Sequence, residues 1–364
     1  MNEENPGVVF DGHCDTPSRI MPGSGFRLDE RNSEGHIDIP RMKEGGLTAQ
    51  FFACCIDPDF PRKKWETLAS DNIREVKNAL SELEEAEIVL SGSGVTEAVA
   101  GGKIAIMLSV EGGHVIPSVS SLEKFHEMGM RSLAVTWKTT NDMADSSEGR
   151  KRWGGLSGFG REIIMEMDRL GIVIDCSHSS RETFYDILDI SSNPVMLSHS
   201  CAAGICDIPR NTDDGQMKAL EENGGVICIN FFPAFLDRKT NVEIMDVWSV
   251  YRREKSSLAR RYGHDPKRAG SELLPAAMRK LNRLTMPGLS AVADHIDYAV
   301  DVAGIEHVGL GSDFDGIPVT PAGLEDVSML PALKKELSER GYSDQDLGRI
   351  MGRNLLRVVR SVCG

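Results

Sequence analysis

The run Val8-Val9-Phe10-Asp11-Gly12-His13-Cys14-Asp15 is short, apolar and ends in His-x-Asp. Side chains alternate along an extended chain, so His13 and Asp15 face one way and Cys14 the other. A neutral imidazole and a carboxylate so placed can hold one divalent cation. A strand end solvated by an aspartate, with a histidine beside it, would look the same. Repetition separates the two readings. Apolar runs also end in Glu111, His178, His199 and Asp313. The chain has nine histidines, and three of them stand at equivalent places, which chance explains poorly. Three imidazoles and three carboxylates exceed the needs of one catalytic zinc and its water. They suit two metals sharing a carboxylate, a device that lowers the pKa of a water and polarises a carbonyl. Imidazole ligands favour zinc, with manganese as the alternative. Hydrolysis of an amide or ester is the chemistry that follows.

Other residues are weighed against the same set. Asp315 shares the last run with Asp313, so one can hold the water while the other supports. His114, after Glu111-Gly112-Gly113, fits a support role or plain surface equally well. His36, His126, His264, His295 and His307 read as surface or structural. Arg210, in a polar loop after the His199 run, could clamp a substrate carboxylate through two parallel hydrogen bonds, or form an ordinary loop salt bridge.

These residues need a scaffold that gathers distant strand ends. Buried strands are expected at residues 8–11, 46–55, 104–111, 132–137, 172–178, 194–200, 225–231 and 307–316, with a further short one at 87–90. Most are near-continuous apolar runs, the mark of a parallel sheet covered on both faces. Helical spacing marks 65–86, 121–128, 160–170, 181–187, 214–222, 289–303, 329–340 and 344–362. Residues 16–45, rich in Pro, Gly and charge, read as a long loop able to cover a site. Eight such units predict an α/β fold of the (β/α)₈ TIM-barrel type, whose C-terminal strand ends ring one mouth. Residues 1–364 then form a single domain with a helical insertion at about 236–286. A doubly wound sheet would need a glycine fingerprint after its first strand, and Asp11-Gly12-His13-Cys14-Asp15 has the wrong spacing. No phosphate-binding loop is present.

Composition narrows the partners. With 41 Lys and Arg against 55 Asp and Glu the formal charge is −14, which opposes nucleic-acid binding. Acidic residues interrupt the basic stretch at Arg252-Arg253 and Arg260-Arg261. Neither a secretion signal nor a membrane-length apolar run is expected. The eight cysteines form no C-x-x-C pair and sit mostly in apolar runs, as buried thiols of a reducing compartment do. The cytoplasm is the expected location.

An ordered set of motifs resembles the renal (membrane) dipeptidase family, the M19 peptidases, over nearly the whole chain. It comprises Asp11-Gly12-His13-Cys14-Asp15, Glu111-Gly112-Gly113-His114, Leu156-Ser157-Gly158-Phe159-Gly160, Ile174-Asp175-Cys176-Ser177-His178, Leu197-Ser198-His199-Ser200, Arg210-Asn211, Gly311-Ser312-Asp313-Phe314-Asp315-Gly316, Gly323-Leu324-Glu325-Asp326-Val327 and Gly352-Arg353-Asn354-Leu355-Leu356-Arg357. The resemblance implies a zinc-dependent dipeptidase that tolerates a D-residue at the C-terminal position. It implies two Zn2+ per chain, one held by His13 and Asp15, the other by His178 and His199, with Glu111 bridging. Asp313 would orient the water and pass its proton to the leaving amine, and Arg210 would bind the dipeptide's carboxylate. Relatives of this kind are typically dimeric, so a homodimer is expected.

One position departs from that pattern. Mammalian members carry a substrate-contacting histidine where this chain has Trp137, in Val135-Thr136-Trp137. An indole offers one donor and a large face but no imidazolium, so Trp137 is a candidate substrate contact of altered specificity. The mammalian enzymes are lipid-anchored, whereas Val362-Cys363-Gly364 reads as no anchor signal; a bacterial-type soluble member is expected. The rival readings are a two-metal amidohydrolase acting on N-acyl amino acids or another small amide or ester, and a barrel that keeps metal sites without catalysis.

Overall fold

The structure is a computed structural model and describes residues 7–21, 23–262 and 266–364. The expectations on the N-terminal segment up to Pro6, on Pro22 and on His264 lie outside the described residues. The chain runs β1 (Phe10–Cys14), α1 (Ile39–Glu44), β2 (Ala49–Cys55), α2 (Trp65–Ser81), β3 (Ala86–Ile88), α3 (Gly92–Ala100), β4 (Ile104–Glu111), α4 (Val119–Glu127) and β5 (Met130–Ala134). It continues through α5 (Gly158–Leu170), β6 (Val173–Asp175), α6 (Arg181–Leu188), β7 (Met196–Ser200), α7 (Asp214–Asn223) and β8 (Val226–Ile229). Then follow α8 (Pro233–Leu236), α9 (Arg238–Arg261), α10 (Pro266–Leu281), α11 (Leu289–Ala303), β9 (Val308–Leu310), α12 (Leu330–Glu339), α13 (Asp344–Gly348) and α14 (Asn354–Cys363). Among the described residues no helix is long and apolar enough to cross a membrane.

Every strand pairing is parallel, and β2 pairs with both β1 and β4, which closes eight strands into a barrel ringed by helices. The ninth strand, β3, lies outside that ring. It bonds the first part of β4 (Ala86↔Ile104, Ile88↔Ile106), and β5 takes the second part (Ser109↔Ser132, Glu111↔Ala134). Feeding β3 also stops α2 at Ser81, short of the helix expected to residue 86. Phe10, Phe51, Met107, Val173, Met196, Val226 and Cys228 form one buried cluster with Leu355, Leu356 and Val359 of α14. The barrel is thus a packed core stoppered by a helix, not a pore. A second cluster joins the outward strand faces to the helices.

The helices begin where caps are written. Ser157 accepts from Gly160 N at the start of α5, and Asp213 and Gln216 form a reciprocal capping box on α7. The helix expected over 344–362 is broken instead by a π-helical turn, Arg349–Arg353. Its cause is a close approach: a Cβ on Gly352 would sit 2.6 Å from Phe10 N and 2.7 Å from Val8 O. The loop expected over 16–45 contains α1, which Asp38 caps.

Candidate metal centre

Two strands stop short of where their apolar runs stop, and this shapes the site. β6 ends at Asp175 and β9 at Leu310, not at His178 and Gly316 as expected. Beyond those ends His178, Asp313 and Asp315 have φ of 65°, 60° and 67°. They are the non-glycine residues with positive φ among those described. Such backbone costs on the order of 1–3 kcal/mol per residue and persists where the surroundings require it. At β1 the pairing register shifts between Asp11 and Cys14, a bulge of the kind that re-aims side chains. Cys14 joins the outer core cluster, away from the mouth, as alternation predicted.

Three imidazoles converge on one carboxylate oxygen. From Glu111 Oε1, Nε2 of His178 lies at 3.1 Å, of His199 at 3.3 Å and of His13 at 3.8 Å. Asp15 Oδ2 is 3.9 Å from His13 Nε2, and the His13 and His199 rings are 3.8 Å apart. Two ligands of a tetrahedral zinc stand about 3.3 Å apart, given bonds near 2.0–2.1 Å. Two triads able to hold an ion, His13–Asp15–Glu111 and Glu111–His178–His199, share Glu111, and a third joins His13, His199 and Asp313. His13 Nε2 is buried without a hydrogen-bond partner, and His178 and His199 bring their Nε2 atoms within 3.0 Å. Crowded, buried donor atoms of this kind fit a pair of cations.

Glycine clears the space. Gly316 has no room for a Cβ, which would collide with Asp15 Oδ2 and Asp313 Oδ1. Gly112, at φ 97°, lets the chain turn after Glu111 beside Trp137, whose Cβ lies 3.3 Å from where a Gly112 Cβ would stand. Trp137 is half-buried, and Lys138 Nζ sits 4.3 Å over its ring.

The two aspartates after β9 divide their work. Asp313 Oδ2 accepts from Asn230 Nδ2 at 2.9 Å and faces the histidines. Asp315 accepts from Thr16 Oγ1 (2.7 Å), Arg19 Nε (2.7 Å) and His36 N (2.8 Å), while its own N–H donates to His36 Nδ1. It therefore pins the long β1–α1 connection beside the mouth. Hydrogen bonds to a charged group contribute roughly 1.5–3 kcal/mol each, with less from the one-third-exposed Arg19. Asp315→Ala is expected to lower stability by about 3 kcal/mol and to open residues 16–38 to limited proteolysis. Urea unfolding and mapped cleavage sites check both.

Arg210 is buried and donates Nη2 to His199 O at 2.7 Å, yet its Nε has no partner. No ion pair holds it among the described residues, which disposes of the loop salt bridge. Arg210 and His178 line a cleft of about 380 Å³ with Ser147, Lys151 and Asp207. His114 is structural: its Nε2 meets Ile56 O at 2.9 Å and its ring packs edge-on against Trp65. His295 and His307 also serve backbone, at Leu236 O and Gly225 O. Sequence reasoning missed Asn230, Cys55, Asp175 and Ser198. Cys55 pairs in register with Glu111 and lies against its carboxylate. A polar residue breaking an apolar run, as in Ile229-Asn230-Phe231, was the available signal.

Burial pushes His178 and His199 well below the usual imidazole range, so both are neutral ligands in waiting. His13 differs: burial would lower it, but Asp15 and Glu111 outweigh burial and hold it up at about 10. Burial lifts Glu111 to about 8, against the attraction of His13. Coordination needs both groups bare, so a cation entering at pH 7 displaces their protons. The sign is fixed: affinity rises with pH. Between pH 6 and 8 log Ka is expected to climb by about 1–2 per pH unit. Calorimetry of metal addition in buffers of different ionisation enthalpy counts the protons, and a pH-independent affinity would contradict this.

A closed parallel barrel with histidines and carboxylates clustered at its C-terminal rim defines a metal-dependent hydrolase. The membrane dipeptidase model, peptidase family M19, matches residues 5–363. The chain belongs to that family. It is 33% identical to Dipeptidase aclJ of Aspergillus oryzae over 90% of this chain and 70% of that one. Among solved structures it is similar to the probable dipeptidase PvdM of Pseudomonas aeruginosa, with TM-score 0.83 and 26% identity over 98% of this chain and 95% of that one. It shares its fold with a metallo peptidase from Rhodobacter sphaeroides liganded with a phosphinate mimic of L-Ala-D-Ala, at TM-score 0.80 and 24% identity over 98% and 99% of the two chains.

Proposed function

We propose that this chain is a two-zinc dipeptidase that accepts a D-residue at the C-terminal position of its substrate. The observation that carries the reading is the convergence of three imidazole Nε2 atoms on Glu111 Oε1, shared by two metal-holding triads. His13 and Asp15 would hold one cation, His178 and His199 the other, with Glu111 available to both. The neutral imidazoles favour zinc. When bound, the pair supplies Lewis acidity toward the peptide carbonyl and lowers the pKa of a water.

The chain's own residues do the rest. Arg210 offers unspent donors in a buried setting, suited to the carboxylate of a dipeptide. Asp313, held by Asn230, accepts the proton of the attacking water and returns it to the leaving amine. Burial raises Asp313 to about 6, against the pull of His13, which brings it near the range where a proton carrier works best. Trp137, beside Gly112, flanks the substrate with an aromatic face in place of an imidazole. The tolerance of a D-residue draws on the phosphinate mimic bound by the Rhodobacter sphaeroides protein.

The eight cysteines are free thiols, which suits a cytoplasmic protein. Helices α9 and α10 form the insertion within a single domain, and their exposed Val242 and Leu274 suit a homodimer contact that light scattering would detect. The deciding experiment is a panel of dipeptides varied in the chirality of the second residue, run beside N-acyl amino acids with zinc and after chelation. Cleavage of L,D- and L,L-dipeptides, lost on chelation, is expected. Cleavage of N-acyl amino acids and of no dipeptide would overturn the substrate assignment.

A further inference from the structure

A histidine ligand has two ring nitrogens, and the one facing the metal must be bare. The other then carries the proton and needs an acceptor, most often a carboxylate or a backbone carbonyl. Here the far nitrogens of two ligands meet the same atom. Ser198 Oγ lies 2.7 Å from His199 Nδ1 and 3.5 Å from His13 Nδ1. Ser198 is 1% exposed, so no solvent competes.

A hydroxyl has one proton and two lone pairs. Ser198 Oγ is also 2.5 Å from Asp175 Oδ2. That carboxylate is an acceptor throughout: its Oδ1 takes Ser177 N at 2.9 Å and Ser198 N at 3.1 Å. The hydroxyl proton therefore points at Asp175, since otherwise two oxygens would oppose lone pairs at that distance. Ser177 Oγ stands at 3.4 Å, about as far as His13 Nδ1 at 3.5 Å, and accepts from His199 N. The two lone pairs of Ser198 Oγ are left for the Nδ1–H groups of His199 and His13. Both rings then carry their proton on Nδ1 and present bare Nε2 toward Glu111. His178 has no such support, because its Nδ1 is buried without a partner.

We propose that Ser198, aimed by Asp175, is a positioning residue whose single hydroxyl sets the ligating tautomer of His13 and His199 together. Of the two triads that share Glu111, one holds His13 and the other His199, so the hydroxyl would be a further link between those two cation positions. The inference rests on the two-metal reading above.

The test measures metal binding, not turnover. Wild-type, Ser198→Ala, Ser198→Thr and Asp175→Asn proteins are titrated with zinc against a competing chelator, with metal per chain counted by mass spectrometry. Ser198→Ala should weaken both zinc positions by roughly 10–100-fold, the usual effect of removing such a partner. Ser198→Thr, which keeps the hydroxyl, should restore most of the loss. Asp175→Asn frees the hydroxyl proton to compete for His199 Nδ1 and should resemble Ser198→Ala. Should the variants not fold, nitrogen-15 spectra of the zinc-loaded wild type decide the matter, since His13 and His199 must each show a protonated Nδ1. Unchanged affinity in Ser198→Ala, loss at one position alone, or a protonated Nε2 on either ring would overturn the proposal. A wild type that binds no zinc would overturn the two-metal reading itself, whereas a two-zinc wild type matched by Ser198→Ala overturns the link alone.

Discussion

Glu111→Gln is expected to reduce dipeptide hydrolysis by roughly 10³-fold or more, with fewer than two metals kept per chain. The size follows from what the carboxylate does. Its Oε1 is the point on which His13, His178 and His199 converge, and it belongs to two of the three metal-holding triads. An amide has the same shape, but it is neutral and carries an NH₂ that cannot ligate a cation. Without the shared negative charge, two divalent ions would repel each other at close range in a buried site. Lewis acidity supplies several kcal/mol of transition-state stabilisation, and each 1.36 kcal/mol is a factor of ten in rate. The fold should survive, because burial already lifts Glu111 to about 8 and a neutral group is less costly there. Circular dichroism, metal content and kcat/KM are measured on one preparation. A variant holding two zinc ions at near wild-type rate would remove Glu111 from the centre.

The second large effect is Asp313→Asn, which separates proton transfer from metal holding. Asp313 reaches His13 and His199 but lies outside the two triads that share Glu111. Its amide variant can still accept from Asn230 through Oδ1, so the geometry should hold. What it loses is the ability to take and return a proton, and general acid–base groups contribute about 10²–10⁴ in rate. We expect kcat to fall by that amount while metal content per chain stays unchanged. The pH profile gives an independent reading. Burial sets Asp313 near 6, and only its ionised form accepts a proton, so wild-type activity should decline as pH falls through that value. Nearby cations favour the ionised form and move the decline lower, never higher. The variant should lack this acidic limb. An unchanged kcat, or an acidic limb kept in full, would assign the proton to another group.

Much of this was legible one residue at a time. Near-continuous apolar runs read as buried parallel strands because a strand covered on both faces has no polar side to show. His13, Glu111, His199 and their partners stood out because a titratable side chain closing such a run is expensive unless something compensates it. Helix α11 falls at Leu289–Ala303, as its spacing predicted. Other features left a weaker trace. Asp175 and Asn230 are each one polar residue in an apolar run, and the partners that give them meaning lie 23 and 83 positions away.

The amino-acid order by itself determined the inventory: an α/β barrel pattern, six side chains of metal-binding type at strand ends, and an arginine after the sixth major strand. Local spacing suffices there, since periodicity and residue chemistry are written within a few positions. Only tertiary structure shows which of two neighbouring carboxylates faces the histidines. Asp313 and Asp315 are two residues apart on one motif with nearly the same φ, yet one faces the histidines and the other ties down the β1–α1 connection. It likewise decided that Arg210 forms no ion pair among the described residues, that His114 packs on Trp65, and that one serine hydroxyl lies within 3.5 Å of Nδ1 of both His13 and His199. Each of these depends on contacts between residues far apart in the chain, and such contacts exist only once the barrel has closed.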